Sequence, residues 1–308
     1  MSMIALAAAA ALASSDVSIA GPIGPLLGSL IDPARNAPAL ILIPGSGPTD
    51  RNGDNPAGVS GGIYRQLAAQ LAAMGIATLR IDKRGMFGSK AAIVDANAVT
   101  IADYVADVRG WTRFLQSRGK RCVWLAGHSE GGLIALAAAQ SLSGICGLVL
   151  LATPGRPLGT VLRAQLKPKL PPDMFVSVDA AITRLEQRQR VDLATVPAPL
   201  APLFNPAVQG YLIELVTRDP AKLAATTKLP MLIVQGETDI QVGVDDAKAL
   251  AAAHPGAKLV LIPGINHLWR KAPADPAANA ATYRDATIPV DPSVATAIAA
   301  FVRAKRSR

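Results

Sequence analysis

A serine between two glycines is where this chain shows most chemistry. Gly127-His128-Ser129-Glu130-Gly131 is entered from an apolar run over 123–126 and left by an alanine-rich run over 131–142. Strand, tight turn and helix, in that order, expose a nucleophilic hydroxyl at the apex of the turn. The flanking positions must be small, because a Cβ there would meet neighbouring backbone, and both are glycine. The N-terminus of the following helix aims backbone N–H groups at the same spot, which suits a developing anion.

A serine hydroxyl is a weak nucleophile until a base takes its proton. The chain has three histidines, so the base is found by elimination. His128 lies inside the turn and is expected to point away from its neighbour's hydroxyl. His254 closes a predicted surface helix at His254-Pro255-Gly256. His267 follows the last predicted strand in Ile262-Pro263-Gly264-Ile265-Asn266-His267. In a parallel sheet that is the carboxyl edge, where Ser129 also lies, and His267 is the candidate base.

A third group must hold the imidazole's tautomer and balance its charge. Gly236-Glu237-Thr238-Asp239-Ile240-Gln241-Val242 follows a strand on the same edge. Asp239 is the candidate acid and completes the order Ser129, Asp239, His267. Glu237, nearer the strand end, is the alternative. Asp245 and Asp246 are expected to serve the N-terminus of the next helix. The oxyanion needs two backbone donors. One is the N–H of Glu130, directly after the nucleophile. The other should come from Pro44-Gly45-Ser46-Gly47-Pro48. Pro48 has no N–H, which leaves Ser46 first and Gly47 second.

The elements that would position these groups alternate along the chain. Apolar runs at 39–43, 77–81, 122–126, 145–152, 231–235 and 258–262 read as strands. Helical patterns fall at 63–74, 100–116, 131–142, 245–253 and 293–305, with Thr100 and Asp103 placed as a capping box. This is an α/β pattern: a mostly parallel central sheet with helices on both faces. The rhythm breaks between 153 and 229, where Pro, Arg, Lys, Gln and Leu dominate and only helical patterns occur, at 178–190 and 207–217. Residues 155–228 are therefore expected to form a helical cap inserted into a core made of 16–154 and 229–308.

Composition bounds the rest. With 308 residues, half of them hydrophobic and only 4% aromatic, the chain is globular and its core is built from Ala, Leu, Val and Ile. The net charge of +9 is spread along the chain. The only dense basic run is 303–308, without interleaved aromatics, so a solvated tail is expected and nucleic acid is not. Residues 1–15 are apolar but too short for a membrane span. They have the length of a secretory leader, with a cleavage signal at Ala11-Leu12-Ala13, yet no Lys or Arg occurs before Arg35. Export and a plain N-terminal extension both stay open, and with them a periplasmic, secreted or cytoplasmic location. Cys122 and Cys146 begin neighbouring parallel strands; two buried free thiols are expected, with a bridge as the alternative. Asp50-Arg51-Asn52-Gly53-Asp54 alternates oxygen ligands but lacks the glycine and distal glutamate a calcium loop needs, so an ordered polar loop is expected. Asp82 and Arg84 are expected to pair. No metal-binding spacing of Cys and His occurs.

Together, 44–51, 80–85, 127–132, 236–242 and Asn266-His267 resemble the α/β-hydrolase superfamily, and more narrowly its capped bacterial carboxylesterases near the serine aminopeptidase and monoglyceride-lipase branch. The likeness runs from about Pro38 to Val302 and is weakest in the cap, where the resemblance places substrate choice. One departure is the oxyanion turn, which has neither the H-G nor the H-G-G-G of relatives.

The expectation is a serine hydrolase cleaving small-molecule carboxylic esters through Ser129, His267 and Asp239, with Ser46 and Glu130 as oxyanion donors and no cofactor or metal. Met174, Phe175, Leu203, Phe204 and Leu212 are candidates to line an acyl site, although each could equally pack the cap onto the sheet. Two rival functions stay open. A peptidase or amidase would need an acidic anchor for a free amino terminus, for which Glu130, Asp173, Asp179 and Glu186 are the hints. A non-catalytic receptor would have no need of a complete Ser-Asp-His set. Fold analogy does not choose a substrate, and oligomeric state is left open.

Overall fold

The computed structural model describes residues 13–306. The proposed leader falls on residues outside that range, except for its last three. The elements run β1 (Ser15–Ala20), β2 (Pro25–Ile31), β3 (Ala39–Ile43), α1 (Ile63–Ala73), β4 (Ala77–Ile81), α2 (Ile101–Ser117), β5 (Val123–His128), α3 (Glu130–Ala139) and β6 (Ile145–Leu151). A helical excursion follows: α4 (Leu158–Leu166), α5 (Pro172–Glu186), α6 (Gln209–Thr217) and α7 (Pro220–Thr226). The chain then returns through β7 (Met231–Gly236), α8 (Val244–Ala253), β8 (Lys258–Ile262), α9 (Pro276–Ala281) and α10 (Pro292–Arg306).

The eight strands form one sheet in the order β1-β2-β4-β3-β5-β6-β7-β8. The six strands from β4 to β8 are parallel, whereas β1 and β2 run antiparallel at the edge. The central strands are buried on both faces, so they read as continuous apolar runs rather than alternating ones. Ala39, Ile41 and Ile43 of β3 face the core under α2, α3 and α8, while Leu40 and Leu42 face the core under α1 and α10. The hairpin of β1 and β2 escaped the sequence reading because β1 is an edge strand with only partial burial and a weak apolar signal.

Several local expectations are met and others are corrected. Thr100 and Asp103 do form a capping box at the start of α2. Asp82 and Arg84 do not pair with each other. Asp82 accepts from the Arg51 amide at 2.8 Å and its guanidinium at 3.0 Å, and Arg84 pairs with Asp103 and Asp107. Asp82 and Arg84 both lie beyond the end of β4 at Ile81, where strand alternation no longer sets direction, and each is taken by partners from other segments, Asp82 by Arg51 and Arg84 by α2. Cys122 and Cys146 are disulfide-bonded rather than free, with Cα atoms 5.3 Å apart at the start of the β5–β6 pair. Of the basic run, residues 303–306 form the end of α10, where Arg303 and Lys305 are exposed, and Arg303 donates to the Met74 carbonyl. The loop 50–54 is ordered by Asp50, which accepts from the amides of Asn52 and Asp54 at 2.8 and 2.9 Å. Among the described residues no helix is long and apolar enough to cross a membrane.

The excursion between β6 and β7 has its own apolar cluster, centred on Val178, Ile182, Leu185, Phe204 and Val216. It is anchored where it leaves the sheet. Asp246, fully buried in the first turn of α8, accepts from the amides of Gly155 and Arg156 and pairs with the Arg156 guanidinium at 2.7 Å. Asp246 thus serves more than its own helix end.

Candidate active site

Register brings the pieces together. Ile43 pairs with Gly127, so the turn leaving β3 lies beside the turn leaving β5. Ser129 sits between β5 and α3 at φ 54°, a backbone conformation that L-residues rarely adopt. It is held there by packing that tolerates no side chain two residues to either side. A Cβ on Gly127 would collide with the Gly131 carbonyl, and one on Gly131 with the Ile43 carbonyl. A Cβ on Gly45 would lie 3.4 Å from that of Ser129, so the β3 turn abuts the serine directly.

His267 is buried in the loop after β8, and its Nδ1 lies 2.8 Å from Asp239 Oδ2. The Asp239 carboxylate is completely shielded and fully engaged. Oδ1 accepts from the amides of Gln241 and Val242 at 2.8 and 2.9 Å, and Oδ2 accepts from Gln235 Nε2 at 3.0 Å. Burial alone would raise its pKa, but His267 and the two amides outweigh that and hold it below the usual carboxylate range. Glu237 is exposed on the same turn and takes no part. Asn266 shapes the His267 loop, its Oδ1 accepting from the amides of Leu268 and Arg270 at 3.0 and 3.2 Å.

Behind His267 lies a chain of hydrogen bonds that sequence reading did not find. His128 Nε2 is 3.0 Å from the His267 carbonyl oxygen, and its Nδ1 is 2.7 Å from the Tyr64 hydroxyl. A carbonyl only accepts, so Nε2 carries the proton and Nδ1 accepts from Tyr64. The Tyr64 oxygen in turn accepts the Gly45 amide at 3.1 Å. Burial, reinforced by the neighbouring His267, pushes the His128 imidazole down to about 3, so it stays neutral and this tautomer is kept. His128 points away from the serine, as expected, but it supports the backbone of His267. In the sequence Tyr64 is no more than one position of the helical pattern at 63–74.

Two cavities meet at Ser129 and share Ser46, Ser129 and Gln241. One, of about 130 Å³, holds His267, Thr49, Asn55 and Tyr64. The other, of about 170 Å³, is walled by Leu133, Leu158, Val161, Leu162, Leu215 and Val242. None of Met174, Phe175, Leu203, Phe204 and Leu212 lines either cavity. Phe204 and Leu212 belong to the excursion's own cluster, and Leu203 is exposed. The lining falls instead on α4 and α6. Three of the acidic groups weighed as amine anchors are already engaged. Asp179 and Glu186 pair with Arg163, and Glu130 pairs with Lys83. Asp173 is exposed at the start of α5 and lines neither cavity. Among the described residues no group of His, Cys, Asp and Glu is arranged to hold a metal ion.

Residues 57–270 match the family model Hydrolase_4, serine aminopeptidase S33. The chain is 31% identical over 236 residues to the esterase EstD of Thermotoga maritima, which covers 75% of this chain and 54% of EstD. The chain thus spans about half the length of that curated relative. Among solved structures, Est1E of Butyrivibrio proteoclasticus superposes with a TM-score of 0.60 at 18% identity, covering 96% of this chain and 100% of Est1E. The proline iminopeptidase of Mycobacterium smegmatis gives a TM-score of 0.57 at 15% identity, covering 94% and 98%. At such identities the likeness is one of fold, and the fold hosts both ester and peptide chemistry.

Proposed function

The chain belongs to the serine aminopeptidase S33 family and has the α/β-hydrolase fold, and from that premise we propose that it is a serine hydrolase cleaving carboxylic esters through an acyl-enzyme. The observation that carries the reading is the fully shielded Asp239–His267 pair, 2.8 Å long, opening onto the cavity that also holds the positive-φ Ser129. In this reading Ser129 attacks the carbonyl carbon while His267 Nε2 takes its proton. Asp239 keeps the Nδ1 proton in place and balances the imidazolium. The amides of Ser46 and Glu130 receive the oxyanion. His267 then protonates the leaving alcohol, and water, activated by the same histidine, releases the acid.

The two cavities give the ester an orientation. The leaving oxygen must meet the proton on His267, and His267 lines only the smaller, more polar cavity. The alcohol therefore belongs there, beside Thr49 and Asn55. The acyl chain belongs in the aliphatic cavity roofed by α4 and α6, for which residues 155–228 act as a cap. This favours aliphatic acyl groups over peptides, since Asp179, Glu186 and Glu130 are committed to Arg163 and Lys83 and Asp173 stands away from both cavities. A panel of p-nitrophenyl esters of rising acyl length beside aminoacyl-naphthylamides tests it. Turnover of the esters with little of the amides is expected; the reverse ranking would make the enzyme a peptidase.

A further inference from the structure

Asp82-Lys83-Arg84 leaves β4 as three consecutive charges. The outer two are accounted for by Arg51, Asp103 and Asp107. Lys83 between them has a side chain 3% exposed and turns towards the site. A cation taken so far out of water persists only where its partners are well placed. Its Nζ donates to the Gly45 carbonyl at 2.7 Å and to Glu130 Oε1 at 3.3 Å, and it lies 5.6 Å from the Tyr104 ring centroid. Those two partners are backbone and side chain of the two turns that flank Ser129.

We propose that Lys83 is the positioning residue of the oxyanion site, holding its two donor amides in place with one ammonium group. The inference rests on the assignment of Ser46 and Glu130 as donors. No peptide bond in the described chain is cis, so the Gly45 carbonyl and the Ser46 N–H point in opposite directions within their shared plane. Fixing that carbonyl on Lys83 turns the Ser46 N–H away from Lys83 and towards the cavities that Ser46 and Ser129 line. The preceding amide is fixed independently, because the Gly45 N–H donates to Tyr64. With both sides of Gly45 held, the plane has little freedom to rotate when charge develops, and preorganised donors are the ones that stabilise a transition state.

The second donor is tied to the same ammonium through Glu130, whose carboxylate sits on Lys83 while its own N–H opens α3. Tyr211 of α6 donates to that same Oε1 at 2.8 Å, and its ring meets Tyr104 edge-on at 5.9 Å. The helical excursion therefore reaches the Lys83–Glu130 pair through Tyr211. Losing Lys83 frees the Gly45 carbonyl. It also leaves a buried carboxylate with only a neutral partner, close to where negative charge must form.

Lys83→Met in the full chain separates this role from general support of the fold. The probes are an alkyl trifluoromethyl ketone, which forms an oxyanion on Ser129, and the matching methyl ketone, which fills the cavities without one. The expected result is a fall in kcat of roughly 10²–10³ with KM changed little, and a parallel loss of trifluoromethyl ketone affinity while methyl ketone affinity holds. Equal weakening of both ketones, or an unaltered kcat, overturns the proposal. Should Lys83→Met not fold, the isosteric Glu130→Gln carries the test from the other end of the pair. The same split between the ketones is expected, at roughly tenfold, and its absence again overturns the proposal. Fluorophosphonate labelling of the wild type reports separately on the parent reading. No label at Ser129 sinks both, whereas a labelled wild type with an indifferent Lys83→Met sinks Lys83's role alone.

Discussion

Asp239→Asn exchanges one oxygen for an NH₂ group and should disable the enzyme by turning His267 into the wrong tautomer. Asp239 Oδ1 accepts two backbone amides, from Gln241 and Val242, that cannot rotate away. An asparagine there must place its carbonyl oxygen in that position to satisfy them. Its NH₂ group then takes the place of Oδ2 and faces His267 Nδ1, now 2.8 Å away, and the Gln235 amide at 3.0 Å. A donor facing Nδ1 favours the imidazole with its proton on Nε2, and that nitrogen can no longer accept from Ser129. The charge that balanced the imidazolium is gone as well. A wrong tautomer of this kind costs about 10⁴ in kcat, or about 5 kcal/mol of transition-state stabilisation. Crowding of two NH₂ groups adds a stability loss of about 1–3 kcal/mol, which a thermal melt separates from the kinetic effect. The assay is kcat on p-nitrophenyl acetate for a variant shown to be folded, with the exposed Glu237→Gln as control, expected near wild-type activity. A folded Asp239→Asn within tenfold of wild type, or a Glu237→Gln that is the more damaged, would refute the assignment of the acid.

The neutral His128 makes stability pH-dependent. Its folded pKa of about 3 lies below the unfolded value near 6.5, so the folded state binds fewer protons. Its contribution is complete above pH 6.5 and is lost as pH falls towards 3, by up to about 1.4 kcal/mol per unit. Between pH 6.5 and 5, urea unfolding should show a steeper loss for wild type than for His128→Gln, and equal losses would contradict a folded state that holds His128 neutral. In the aliphatic cavity, Leu162→Trp should lower the preference for octanoate over acetate esters by roughly tenfold to a hundredfold while leaving acetate turnover nearly unchanged. A uniform loss across acyl lengths would place the acyl chain elsewhere.

What the sequence made legible was whatever depends on chain order and period. Strands buried on both faces announced themselves as unbroken apolar runs, and their carboxyl ends then located Ser129, Asp239 and His267 on one edge. Residues whose role depends on partners distant in sequence stayed hidden. Tyr64 and His128, 64 positions apart, meet only because α1 and β5 share a sheet face. Lys83 reads as one charge among three until the fold aims it at Gly45. Asp82 and Arg84 were paired by proximity, whereas past the end of β4 each meets partners from segments distant in sequence. The cysteines were correctly placed on adjacent strands, but free and bridged forms look alike in sequence. The cap residues were chosen as apolar, but hydrophobicity does not say which way a helix turns: Phe204 and Leu212 joined the excursion's own cluster, Leu203 is exposed, and Leu158, Val161 and Leu162 of α4 and Leu215 of α6 line the cavity at the serine.

The central claim is that Ser129 is the nucleophile, and covalent labelling reaches it most directly. The full chain, treated with a fluorophosphonate and digested, is expected to carry one phosphonylated peptide, modified at Ser129. Labelling and p-nitrophenyl acetate hydrolysis should vanish together in a folded Ser129→Ala, with kcat down by roughly 10⁴–10⁶. A label on another serine, or an alanine variant that still turns over the ester, would contradict the account.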